Sequence, residues 1–147
     1  MRVSVILPAA GLGRRFTGPG ADDGPSKIEA TLAGRAVFLR SAELFLNRSQ
    51  VCQVIVAVNP QRFDDFMARF GDQLRFHGIK VIAGGERERW QTVAKALQAI
   101  DDSCTHVAVH DAARPLASAK LIDRVFDAAS RFASVIPAMP ITATVKR

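Results

Sequence analysis

The chain has no tyrosine, a single tryptophan and only two cysteines in 147 residues. Cys52 and Cys104 are too few and too scattered for a disulfide framework or a zinc site, and they read as small residues in or near the core. With nine Phe and one Trp, aromatics are 7% of the chain, and they are not interleaved with basic residues as in a single-strand nucleic-acid binder. No apolar run approaches the roughly 18 residues needed to cross a bilayer. The N-terminus enters a strand pattern at once, without the charged and apolar regions of a secretory leader. These absences predict a cytoplasmic protein with neither membrane nor nucleic acid as partner. His77, His106 and His110 have no metal-ligand spacing, and no Ser/His/Asp or Cys/His constellation is present.

What is present is cationic and glycine-punctuated. Lys and Arg total 20 against 14 Asp and Glu, for a net charge of +6, and fifteen of the twenty are arginine. That balance suits a phosphate-bearing partner. The basic residues form no long run: most are spread singly, with Arg14-Arg15 and Glu86-Arg87-Glu88-Arg89 as clusters, so a compact anion site fits better than a long nucleic-acid groove.

Apolar stretches at 3–7, 51–58, 79–83, 106–110 and 134–138 read as buried strands. Between them run helical patterns: Val37 to Phe45; Phe63, Phe66, Met67 and Phe70, ended by Gly71; Trp90, Val93, Ala94 and Leu97 as a core face; and Leu121 to Phe126. Trp90 is most simply core. Strands alternating with helices predict an α/β fold: one domain over 1–147, with a Rossmann-like, mostly parallel sheet and helices on both faces. In open α/β sheets ligands bind at the carboxyl ends of the strands. The unusual residues cluster after the first, third and fourth strands: Gly11 to Arg15, Gly84 to Arg89 and Asp111 to Arg114.

The first of these loops follows Pro8-Ala9-Ala10 and reads Gly11-Leu12-Gly13-Arg14-Arg15. It lacks the third glycine of the dinucleotide fingerprint and the Gly-Lys-Ser/Thr of a P-loop, so its glycines alone also fit an ordinary βα turn. The paired arginines, with Lys27 beyond a Gly/Pro/Asp-rich segment, favour a triphosphate, whose transfer builds negative charge that fixed cations stabilise. Asp111 at a strand end could hold Mg²⁺ together with substrate phosphates, or could cap a turn or pair with Arg114. Thr92 could hydrogen-bond a base or cap its helix.

Taken together, Pro8 to Arg15, Pro25-Ser26-Lys27, Gly84-Gly85 with Arg89 to Val93, and His110-Asp111-Ala112-Ala113-Arg114-Pro115 resemble the 2-C-methyl-D-erythritol 4-phosphate cytidylyltransferase family, in the family's order and over essentially the whole chain. The resemblance implies the nucleotide-diphospho-sugar transferase type of fold. It implies transfer of CMP from CTP to a polyol phosphate, assisted by Mg²⁺ or another divalent cation, in a homodimer. Arg15 and Lys27 would stabilise the triphosphate and the transition state, and Gly11 and Gly13 would let the loop wrap the phosphates. Ala9, Ala10, Gly85 and Thr92 would read cytosine. Pro8, Asp111 and Ala112 would line the ribose, with Asp111 also at the metal, and Thr144 would contact the acceptor.

Three positions depart from the family pattern. Ser26 separates Pro25 from Lys27, the link from Gly85 to Arg89 is one residue longer, and Ala143 stands where Asp is usual. The resemblance also implies a chain that continues past Arg147 into a dimerisation arm with further acceptor and metal ligands. The 147-residue chain is therefore expected to be C-terminally incomplete, to bind CTP weakly and to turn over poorly. A related acceptor such as ribitol 5-phosphate, or a non-catalytic nucleotide-binding module, are the competing expectations.

Overall fold

The computed structural model describes residues 1–11 and 26–142. It divides into two compact units, Met1–Leu116 and Ala117–Arg147.

The first unit is built on four parallel strands: β1 (Val3–Ala9), β4 (Val51–Val58), β5 (Lys80–Ala83) and β6 (His106–Val109), in the order β5-β4-β1-β6. A two-residue antiparallel hairpin, β2 (Thr31–Leu32) and β3 (Arg35–Ala36), stands apart from the sheet. The central position of β1 explains its composition. Val3, Val5, Ile6 and Leu7 are all buried, which requires cover on both faces because successive side chains alternate sides. Each such buried aliphatic side chain contributes about 1.5–3 kcal/mol relative to exposure.

Helix α3 (Arg89–Leu97) covers one face, where Ala96 packs with Ile6, Ile55 and Ala57. Helix α1 (Val37–Leu46) also packs on β1 and β4, and it joins α2 (Phe63–Phe76) through Phe38, whose ring lies 5.0 Å from those of both Phe66 and Phe70. The parallel α/β sheet expected from the alternating pattern is therefore what the chain forms.

Four sequence expectations are corrected. Helix α2 does not end at Gly71 but runs through it to Phe76. It stops at Gly78, whose φ of +65° provides the left-handed turn that closes a helix. On α3 the buried positions are Thr92 and Ala96, while Trp90 and Leu97 are exposed. Trp90 and Thr92 lie about 200° apart around a helix of 3.6 residues per turn, so burying Thr92 turns Trp90 outward.

Cys52 and Cys104 are not independent core residues: the structure joins them in a disulfide with Cα atoms 6.8 Å apart. They flank the start of β1, one on β4 and one just before β6, a proximity that depends on strand order and not on spacing. Finally, residues 134–138 form no strand. Their β-branched composition produces a strand only where a neighbour takes up the backbone N–H and C=O groups, and among the described residues none does.

The second unit holds α4 (Ala119–Ala129), begun by Ser118, whose hydroxyl oxygen accepts from the Leu121 N–H at 3.2 Å. Ile122 and Phe126 are its buried positions.

Candidate active site

All four parallel strands point their carboxyl ends to one edge, and the loops that leave them are tied together there. At the end of β1, Pro8 is half-buried, Ala9 buried, Ala10 half-buried and Gly11 exposed. The Ala10 carbonyl accepts from the Asn59 side chain at 3.4 Å, which joins the β1 and β4 loops. Asn59 also caps the turn Pro60–Arg62, its side-chain oxygen accepting from the Gln61 N–H at 2.8 Å.

The loop after β5 shows why two glycines are needed. The Gly84 N–H donates to the Val58 carbonyl at 2.7 Å, drawing the loop across the end of β4. A Cβ on Gly84 would lie 2.9 Å from Thr92 Cγ2 and 3.0 Å from Ala10 Cβ, and one on Gly85 would lie 2.5 Å from Gln91 Cβ and 2.9 Å from the Thr92 nitrogen. Thr92 is buried and its Oγ1 accepts from the Gly85 N–H at 3.0 Å, while Lys95 Nζ donates to the Gly84 carbonyl at 3.0 Å. Thr92 thus fixes the Gly85 backbone from within the helix it opens.

The loop after β6 is the most polar. Asp111 accepts through Oδ1 from Arg89 Nη2 at 2.8 Å and Nε at 3.2 Å, and through Oδ2 from Arg114 Nε at 2.8 Å. The possible Asp111–Arg114 pair is present. Its partnership with Arg89 joins the β5 and β6 loops and is not legible in the sequence, where 22 residues separate the two. Burial pushes the Asp111 carboxyl up, but the hydrogen bonds and charges of Arg89 and then Arg114 outweigh it, leaving the group below the ordinary 3.8 of an aspartate. Ala112 is fully buried and its carbonyl accepts from Ser41 Oγ of α1 at 2.8 Å. His110 is half-buried and satisfied: its ring packs edge-on to Phe45 and Nε2 donates to the Arg114 carbonyl at 2.9 Å.

A group whose folded pKa is depressed contributes stability that is present above its unfolded pKa and is lost as pH falls through the folded value. Asp111 should therefore stabilise the fold at neutral pH and lose that contribution progressively as pH falls from about 4 through its lowered folded value. Its side chain is 37% exposed, so solvent screening holds the effect under about 1 kcal/mol. Urea melts of wild type and Asp111→Asn are expected to differ at pH 7 and to differ progressively less as pH falls below about 4. A constant difference across that range would contradict the assignment.

Lys27 sits on the tight turn 26–29, exposed between the buried Ser26 and Ile28, and a small cleft lined by Ala9, Gly11, Ser26 and Ile28 joins this turn to the end of β1. Gly13, Arg14, Arg15, Ala143 and Thr144 lie outside the described residues. The structure thus brings Pro8, Ala9, Ala10, Gly11, Lys27, Gly85, Thr92, Asp111 and Ala112 to one sheet edge.

A family model for 2-C-methyl-D-erythritol 4-phosphate cytidylyltransferase matches residues 3–147. The chain belongs to this family. It is 39% identical over 99% of its length to the cytidylyltransferase of that name from Frankia casuarinae, and 34% identical over its full length to that from Acidobacterium capsulatum. It spans only 51% and 62% of those two proteins. The crystal structure of the Francisella tularensis enzyme of the same name superimposes with a TM-score of 0.65 at 26% identity, covering 90% of this chain and 54% of that one. No helix among the described residues is long and apolar enough to cross a membrane.

The family resemblance implies Mg²⁺. Among the described residues there is no group of three or more His, Cys, Asp or Glu placed to hold a metal. A cation carried by a triphosphate needs only one or two protein carboxylates. Asp111 supplies one, and its oxygens together have lone pairs beyond the arginine bonds, so it could take part in holding a nucleotide-borne ion.

Proposed function

We propose that this chain carries the nucleotide-binding part of a cytidylyltransferase that moves CMP from CTP to 2-C-methyl-D-erythritol 4-phosphate, a step of non-mevalonate isoprenoid precursor synthesis, in a cytoplasmic homodimer. The observation that carries the reading is the joining of three loops at one edge of a parallel sheet by Gly84–Val58, Gly85–Thr92 and Arg89–Asp111 contacts, in a chain matched by the family model from residue 3 to 147.

The chemistry needs no protein base. An acceptor phosphate oxygen, already anionic, attacks the α-phosphorus of CTP in line, and the bond to the bridging oxygen breaks as diphosphate leaves with its electron pair. Negative charge grows on the α-phosphate oxygens and on the leaving group, so the protein's contribution is position and fixed positive charge. Lys27 and Arg15 supply that charge. Gly85 and Thr92, with Ala9 and Ala10, present backbone groups to cytosine, and a close backbone approach is what Gly84 and Gly85 permit. Pro8 and Ala112 would border the ribose, Gly11 and Gly13 would serve the phosphates, and Thr144 would contact the acceptor. Arg89 and Arg114 each spend one or two of five N–H donors on Asp111 and are 60% and 76% exposed, leaving donors for phosphate oxygens. Bound Mg²⁺, with Asp111 among its ligands, would screen the charge of the triphosphate.

A nucleotide that binds only the folded state raises the melting temperature by mass action. CTP with Mg²⁺ is expected to stabilise the chain, and ATP, GTP and oligonucleotides are not. A diphosphate-release assay with 2-C-methyl-D-erythritol 4-phosphate and with ribitol 5-phosphate then separates the acceptors. An equal response to all nucleotides, or to DNA alone, would overturn the reading.

A further inference from the structure

Glu29 is a carboxylate that none of the steps above uses. It is 7% exposed, two residues from Lys27, and no other acidic side chain among the described residues is buried. An ionised carboxyl stays buried only when its lone pairs are taken. Here Oε1 accepts from Ser26 Oγ at 2.8 Å, and Oε2 meets Arg69 Nη1 and, at 3.6 Å, Arg62 Nη2. Both arginines belong to the region after β4, Arg62 in the turn Pro60–Arg62 and Arg69 on α2. The Glu29 N–H also donates to the Ser26 carbonyl at 2.8 Å, closing the turn from both its backbone and its side chain. On its other side the Ile28 carbonyl accepts from the Phe38 N–H at 3.0 Å, at the start of α1.

These ties share one geometric result. Ser26, Ile28 and Glu29 are buried and tied to one another, to the start of α1, to the turn Pro60–Arg62 and to α2, so Lys27 is the one residue of the turn left exposed, between two residues that line the cleft reaching Ala9 and Gly11. We propose that Glu29 is a positioning residue: through Ser26 on one side and the Arg62–Arg69 pair on the other, it fixes the direction in which Lys27 presents its ammonium to the nucleotide phosphates. A lysine on an otherwise free turn would lose rotational freedom on binding. A lysine whose backbone is already fixed loses less, and a displacement of about 1 Å at such a group can cost as much as a hundredfold in rate.

The assignment rests on the cytidylyltransferase reading, and the test separates the two. Calorimetric titration of the wild-type chain with CTP and Mg²⁺ comes first, and absence of binding there overturns the reading and this assignment with it. With binding in hand, Glu29→Gln is expected to raise the CTP Kd about tenfold and, in the Lys27→Ala background, to raise it no further. Ser26→Ala cuts the same tie while leaving both arginines paired, and it should repeat the effect, with Ser26→Thr restoring wild-type affinity. ¹⁵N relaxation should show the Lys27 amide losing order in Glu29→Gln and in Ser26→Ala. Equal weakening with and without the Lys27 ammonium, or an unchanged Kd alongside a lowered melting temperature, would show that Glu29 merely stabilises the fold and would overturn the proposal.

Discussion

Replacing Gly85 with alanine is expected to abolish measurable CTP binding and to lower stability by about 1–3 kcal/mol. The added Cβ would stand 2.5 Å from Gln91 Cβ and 2.9 Å from the Thr92 nitrogen. Real carbon contacts do not approach so closely, and neither neighbour is the free end of a flexible side chain. Thr92 is buried, and the first turn of α3 is fixed by Gln91 Oε1, which accepts from the Glu88 N–H at 3.1 Å. Either the loop or the start of α3 must move. Movement of the loop breaks the 3.0 Å bond from Gly85 to Thr92, and with it the backbone arrangement offered to cytosine. Gly11→Ala is the control. A Cβ there meets nothing within 4 Å among the described residues, so its stability should stay within about 0.5 kcal/mol of wild type. Denaturant melts and titration calorimetry on both variants check the contrast. Wild-type melting and affinity in Gly85→Ala would show that the glycine pair does not govern the site.

The placement of that loop is legible in the sequence, because two strong signals coincide: apolar runs too continuous for a half-exposed strand, and glycines where each run stops. Parallel strands then deliver their loops to one edge by topology alone. The individual contacts are not legible, for a physical reason in each case. Arg89 and Asp111 meet although β5 and β6 are the outer strands, because the loop after β5 crosses the end of β4 and α3 lies over β4 and β1, a fact about packing that spacing does not carry. Glu29 carries no signal of its burial because its arginine partners come from a region more than thirty residues on. Gly71 reads as a helix end, yet it lies buried inside α2, where a Cβ would stand 3.3 Å from Met67 Cε. The disulfided pair Cys52 and Cys104 and the exposed Trp90 have the same origin: composition states what a side chain prefers, and packing decides which preference is met. Residues 134–138 show the converse, since strand-like composition made no strand without a partner to bond.

Removing the ammonium of Lys27 should produce the largest loss of rate in the described part of the site. In Lys27→Met the aliphatic stem is kept and only the charge is deleted. Lys27 is exposed on its turn while its neighbours carry the packing, so the melting temperature should barely change. The charge matters where negative charge develops, on the α-phosphate oxygens and the departing diphosphate. Deleting one prepositioned electrostatic partner of a transition state typically costs about 10²–10³ in rate. Single-turnover diphosphate release, with protein in excess over CTP, is expected to slow by that factor, while the CTP Kd rises only about tenfold. The ground-state triphosphate already carries its charge, and water can solvate it where the lysine is absent. The transition state spreads new charge onto oxygens that the fixed ammonium meets without reorganisation, and mobile water replaces it less well. A Lys27→Met protein that releases diphosphate within threefold of wild type would remove Lys27 from the chemistry. A fall in affinity equal to the fall in rate would make it a binding residue only, and the turn that Glu29 holds would then serve capture of the nucleotide and not its reaction.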